Sequence, residues 1–176
     1  MFFSKKKKGS QKRFVIYISK LAKYRNLLDY IESSGIKECY FFFESTRNEM
    51  EQLANAKGLS LEFHDARSEK KLRNKILCLE AHPLYSITQK FVDQFGEGTE
   101  VEFWMGMDES VFKLFGTDRT ISLMERMGID ENEAIEHKMI VKSIERAQQK
   151  LDENTQTHQD VRTSVEEWES ANGINS

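Results

Sequence analysis

Apolar runs of strand length alternate with helical spacing over the first hundred residues, and the alternation stops near Met107. FVIYI (14–18) is short, β-branched and aromatic, the pattern of a buried strand. Ser19 then stands as an N-cap for a helix in which Leu21, Tyr24, Leu28 and Ile31 recur at helical spacing and which Gly35 ends. Read without that break, RFVIYISKLAKYRNLLDYI also fits one long helix. ECYFFF is a second strand. Thr46 and Glu49 form a capping box for STRNEMEQLANAKG, which Gly58 closes. LSLEF is the third strand, SEKKLRN a helical connection, and KILCLEA the fourth strand. Pro83 opens the helix LYSITQKFVDQF, and GEG turns the chain into EVEFWM, the fifth strand.

After Met107 the period is helical throughout. Val111, Leu114 and Phe115 make one apolar face up to Gly116, and Ile121, Met124 and Met127 another up to Gly128. Asp130 with Glu133 caps a longer helix whose stripe runs through Ile135, Met139, Val141, Ile144 and Ala147. Beyond Leu151 the stripe thins to Val161, Val165 and Trp168, which reads as turns that are exposed, frayed or docked on another molecule. Strands separated by helices indicate an α/β fold with a RecA-like parallel sheet flanked by helices, followed by a C-terminal helical segment with one long helix. The expected division is a basic flexible tail (1–13), the sheet domain (14–106), the helical segment (107–170) and a loose end (171–176).

At 176 residues with 39% hydrophobic and 31% charged residues, the chain can bury a core without disulfides. Cys39 and Cys78 each lie within an apolar run and read as buried thiols in a reducing compartment; a disulfide between them is unforced. The net charge of -3 conceals an asymmetry: residues 1–13 hold six basic side chains and no acid, leaving 20 basic against 29 acidic residues elsewhere. An acidic body argues against nucleic acid as its partner. Phe2 and Phe3 beside Lys5, Lys6, Lys7 and Lys8 suit an anionic membrane surface, and more simply a disordered solubilising tail. No apolar run reaches the roughly 20 residues of a membrane span, and the expected location is the cytoplasm, with a peripheral contact at the inner face of the membrane through that tail.

A nucleotide hydrolase holds triphosphate with a glycine-rich loop followed by lysine and a hydroxyl, and that pattern does not occur here. Ser45 and Thr46 stand at a helix start, where they either cap the helix or touch a phosphate. His64, His82, His137 and His158 have no metal-ligand spacing, so no metal site is expected. Phe103, Trp104, Met105, Met107 and Phe112 read as core.

One stretch carries a resemblance. FWMGMDESVFKLFGTDRTISLMERMGIDENEAIEHKMIVKSIERAQQK (103–150) contains, in order, Phe-Gly-x-Asp-Arg, Met-x-x-Met-Gly, Glu-Ala-Ile-Glu-His and Ser-Ile-Glu-Arg-Ala-Gln. It resembles the end of the second nucleotide-binding fold and the start of the helical scaffold of the SecA preprotein translocase ATPase family. A weaker likeness over 38–90 sets Ser45 and Thr46 at the hydroxyl-rich turn, Glu80 and His82 at a strand end, and Gln89 and Lys90 where the family's arginine-rich nucleotide motif begins. Here that motif reads KFVDQFGEG, with Lys90 its only cation, and the family's phosphate-binding first fold has no counterpart. The resemblance therefore implies a non-catalytic binding or regulatory module in protein translocation, docking on the translocation machinery or a preprotein. Ser45, Thr46, Gln89 and Lys90 would be a vestigial ATP or ADP site, with no cofactor required. Glu136, His137, Ile144, Arg146 and Gln148 on the long helix would meet the partner, His137 more simply serving as a structural hydrogen-bonding group. Alternatives are one half of a split ATPase completed by another chain, or a folded relic. The last helix, if unsupported, would pair two copies as a homodimer.

Overall fold

The computed structural model describes residues 9–68, 73–114, 128–155 and 158–174. Phe2, Phe3, Lys5, Lys6, Lys7 and Lys8 lie outside them, as do most of the SEKKLRN connection and the apolar face Ile121, Met124 and Met127. The fold is α/β and RecA-like: one five-stranded, all-parallel sheet in the order β1-β5-β4-β2-β3, with six helices among the described residues.

The strands are β1 (Gln11–Tyr17), β2 (Glu38–Phe41), β3 (Glu62–Asp65), β4 (Lys75–Cys78) and β5 (Glu100–Gly106). β1 starts three residues before the expected Phe14, because Gln11, Lys12 and Arg13 pair with Glu100, Val101 and Glu102. β3 lies later than LSLEF, being fixed by its register against β2, with Glu38 opposite Glu62 and Phe41 opposite Asp65. α1 (Lys20–Ser34) begins on the expected cap, the Ser19 hydroxyl accepting from Ala22 N, and ends on Gly35 at φ 72°. The reading of β1 and α1 as one helix is thereby corrected. Leu21 is not on the inward face: it is 69% exposed, and Lys23 is buried in its stead.

The chain runs outward through β1, β2 and β3 with α1 and α2 (Glu44–Ala56) between them, then returns through β4, α3 (Tyr85–Val92) and β5. Right-handed crossovers therefore put α1 and α2 on one face and α3 on the other. Side chains alternate accordingly. Val15, Tyr17, Cys39, Phe41, Leu77 and Trp104 pack under α1 and α2, whereas Phe14, Ile16, Tyr40, Cys78, Phe103 and Met105 pack on the opposite face. The two thiols are not joined in a disulfide; both are buried, on opposite sides of the sheet.

The second face is closed by α3, α4 (Ser110–Leu114), α5 (Lys138–Asn154) and α6 (Val165–Ala171). α5 starts at Lys138 rather than after Asp130; Asp130 instead closes a turn by accepting from Asn132 N at 2.8 Å. The C-terminal turns are not loose. Trp168 is fully buried, and Val161, Val165 and Ile174 pack against the same core, so the apolar residues considered for pairing two copies are used internally.

Candidate functional site

Open parallel sheets bind ligands at the carboxyl ends of their strands, where the connections diverge to opposite faces. Here the ends of β1, β5, β4 and β2 surround a crevice of about 240 Å³ lined by Lys20, Ser45, Thr46, Glu49, Glu80, Asp108, Glu109, Lys113 and Glu166, among others. Five of these side chains are carboxylates and two are lysines, the inverse of what a triphosphate requires.

The start of α2 makes the same point through the backbone. A helix N-terminus offers unpaired N–H groups to an anion. Phe43 occupies the N-cap and supplies no side-chain acceptor, so the expected Thr46–Glu49 capping box is not formed. Other parts of the chain supply the acceptors. Glu44 N and Ser45 N donate to the carbonyls of Arg162 and Thr163 at 2.8 and 2.9 Å. Phe42 N and Phe43 N donate to Glu80 Oε1 at 2.5 and 3.3 Å. The segment before α6 thus lies across the place where a phosphate would sit.

Glu80 is buried, and burial pushes its carboxyl up to about 7, against the pull of the Thr46 hydroxyl, the Phe42 N–H and Lys23. Lys23, on the inner side of α1, bonds Glu109 and donates to the carbonyl of Leu79 at 3.1 Å. Glu109 also accepts from Gly106 N, and Glu49 pairs with Lys20 at 3.0 Å and accepts from the Tyr24 hydroxyl at 3.1 Å. Burial together with Glu109 and Glu49 raises the Tyr24 phenol, which stays neutral.

Behind the crevice, His82 is fully buried and held well below its ordinary value by burial, with Arg67 and His158 acting in the same direction. Its Nδ1 accepts from Leu84 N at 3.1 Å, which places the proton of the neutral ring on Nε2. The ring meets Trp168 edge-on at 5.1 Å, and its carbonyl accepts from Gln148 Nε2 at 2.7 Å.

The residues chosen as a vestigial nucleotide site are not one site. Ser45 and Thr46 line the crevice, whereas Lys90 lines a separate cleft with Arg67, Gln94 and Asp160. Gln89 bonds Lys12 and Asp93. Among the partner-facing candidates, Ile144 and Gln148 are buried against α3 and the core, because the inward arc of α5 carries them. Glu136 is exposed and pairs with Arg13, His137 is the N-cap of α5 through Nδ1, and Arg146 is exposed. Glu38, Glu62 and His64 bring donor atoms within 4.8 Å of one another, but Glu38 is already neutralised by Arg73 at 2.8 Å. Sequence reasoning missed Lys23, Glu109 and the Arg162–Thr163 carbonyls. The first two are single charges beside apolar positions, and a backbone carbonyl has no signature in a sequence. Among the described residues no helix is long and apolar enough to cross a membrane.

No family model matches the chain. Individual curated proteins do. The protein translocase subunit SecA of Flavobacterium psychrophilum is 44% identical over 59 residues, 34% of this chain and 5% of that protein. SecA of Christiangramia forsetii is 46% identical over 59 residues, and SecA of Chlorobium phaeovibrioides 48% identical over 58, or 6% of its length. The chain thus carries a SecA-related segment covering about a third of its length, and that segment matches 5% to 6% of each of these relatives.

Proposed function

We propose that this chain is a non-catalytic binding module of a protein-translocation system, which docks on the translocation machinery or a preprotein, or regulates a complete SecA-type motor. The relatives of its matched segment are translocase subunits, which supports the setting. The observation that carries the non-catalytic part is the start of α2. Its first N–H groups are taken by Arg162, Thr163 and Glu80, and carboxylates surround them. A γ-phosphate entering there would have to displace the chain's own backbone and approach Glu49, Glu109 and Glu166. In this reading the exposed side of α5, including His137 and Arg146, meets the partner, and Phe2, Phe3 and Lys5 to Lys8 add an anionic-membrane contact.

Isothermal titration with ATP and ADP, with and without magnesium, tests the first half. No heat is expected up to high micromolar nucleotide. Micromolar binding, about −8 kcal/mol, would overturn it and make the chain half of an active site. The second half is tested with a full-length SecA, such as that of Christiangramia forsetii, titrated with this chain while its ATP turnover is followed. Binding or a change in turnover is expected. Neither appearing in that titration, nor with a preprotein, would remove the docking role.

A further inference from the structure

α5 separates its charges by side. Helical geometry places residues about 100° apart, so 138, 149, 142, 153, 146, 139, 150 and 143 share one arc of roughly 140°. The acids on the inner side are tied to the chain itself: Glu145 pairs with Lys12 at 2.6 Å, and Asp152 accepts from Ser86 N and Oγ at 2.7 and 2.8 Å. The outer arc holds Lys138, Lys142, Arg146 and Lys150, all exposed, with Glu153 as its one acid. Among the described residues none of these four cations is ion-paired. Apart from them and the six basic residues of 1–13, the chain has 16 basic and 29 acidic residues, so this arc is a positive stripe on a negative body. Met139, expected to face inward, lies within it and is 70% exposed.

We infer that this arc is a docking surface for an acidic amphipathic helix of another protein. The cations recur every fourth residue, and such rows are the ridges by which helices pack, two of them meeting at about −50°. Over the 12 steps from Lys138 to Lys150 the row extends about 18 Å and turns about 120° around the axis. A partner helix bearing Glu or Asp every fourth residue crosses and follows such a row. A flat bilayer meets only part of it at once. Met139, unbranched and adaptable, supplies the apolar contact at one end. The inference rests on the charge segregation alone and holds whether or not the partner belongs to a translocation system.

The test titrates the full chain with labelled synthetic helices of about 20 residues. One carries Glu every fourth residue; a second has the same composition with Glu scattered around the helix. Phosphatidylglycerol vesicles and a single-stranded RNA are the rival probes. The ordered helix is expected to bind about tenfold tighter than the scattered one and to weaken with salt. Lys142→Glu should weaken it by about tenfold, whereas Lys37→Glu, the same charge change on an exposed residue away from α5, should alter it less than about twofold. A helix with Lys in the ordered positions should bind the double variant Lys142→Glu/Arg146→Glu better than the native chain. Equal binding of the two acidic helices, equal effects of Lys142→Glu and Lys37→Glu, or tighter binding of vesicles or RNA would each overturn the assignment.

Discussion

Glu80 is an acid held inside the fold by two backbone N–H groups, which favour its ionised form, and by burial, which opposes that form more strongly. The sign of the pH dependence follows. Between the ordinary value of 4.5 and about 7 the folded chain keeps a proton that the unfolded chain has lost. Stability from this group is full below about 4.5 and lost as pH rises through 7, by about 3 kcal/mol. Glu169, whose carboxyl burial and Glu166 also push up to about 7, acts in the same direction. Glu80→Gln keeps an acceptor for Phe42 N and Phe43 N and removes the charge. Urea midpoints should therefore show it more stable than the native chain at pH 8, by roughly 1–3 kcal/mol, and level with it near pH 4.5. A loss at both values would mean that the geometry at Oε1 matters more than the charge. Gly106 is a purely steric case: a Cβ there would lie 2.4 Å from Lys20 N, where β5 meets the start of α1. Because backbone rather than a flexible side chain must move, Gly106→Ala should cost about 3 kcal/mol in the same assay.

At the scale of elements, the order of strands and helices was legible because each strand is a short apolar run and most ends carry a cap. Ser19, Gly35 and Gly58 act as their types suggest. Legibility failed where tertiary contacts replaced local signals. The capping box at Thr46 and Glu49 was plausible by spacing, but the N-cap is Phe43, three residues earlier, with the donors there satisfied from Glu80 and from residues 162 and 163. The stripe beyond Leu151 thinned because α6 is fastened by backbone carbonyls and one large side chain rather than by a continuous face. Periodicity also identified the apolar side of α5, Ile144 included, while misplacing Met139, and it gave no sign that Gln148 is covered by α3 and the core. The fastening of α6 has a measurable consequence. Trp168→Ala should destabilise the fold by about 3–5 kcal/mol. Amide exchange should then accelerate at Glu44 and Ser45, whose acceptors are Arg162 and Thr163, more than at β5 residues such as Phe103. Equal acceleration at both places would show that Trp168 supports the whole core and not the covering segment.

At the scale of the molecule, residues on both sides of the expected boundary at 106 and 107 share one core. Phe14, Phe91 and Phe103 belong to the same buried cluster as Phe112, Ile135, Ile144 and Trp168. The helical segment therefore completes, together with α3, the second cover of the sheet. The two tryptophans report on this separately, since Trp104 packs under α1 on one face and Trp168 packs against His82 on the other. Trp104→Phe leaves Trp168 as the only indole, and Trp168→Phe leaves Trp104. A chain whose two covers fold as one unit should show, in each variant, a fluorescence transition in urea that coincides with that variant's own circular-dichroism transition. If fluorescence from Trp168 changed at lower urea than the helical signal, the C-terminal cover would open on its own. The N–H groups at the start of α2 would then be uncovered without global unfolding, and nucleotide binding would have to be measured under those conditions. Coincidence instead means that Glu44 N and Ser45 N stay covered by the Arg162 and Thr163 carbonyls for as long as the fold persists.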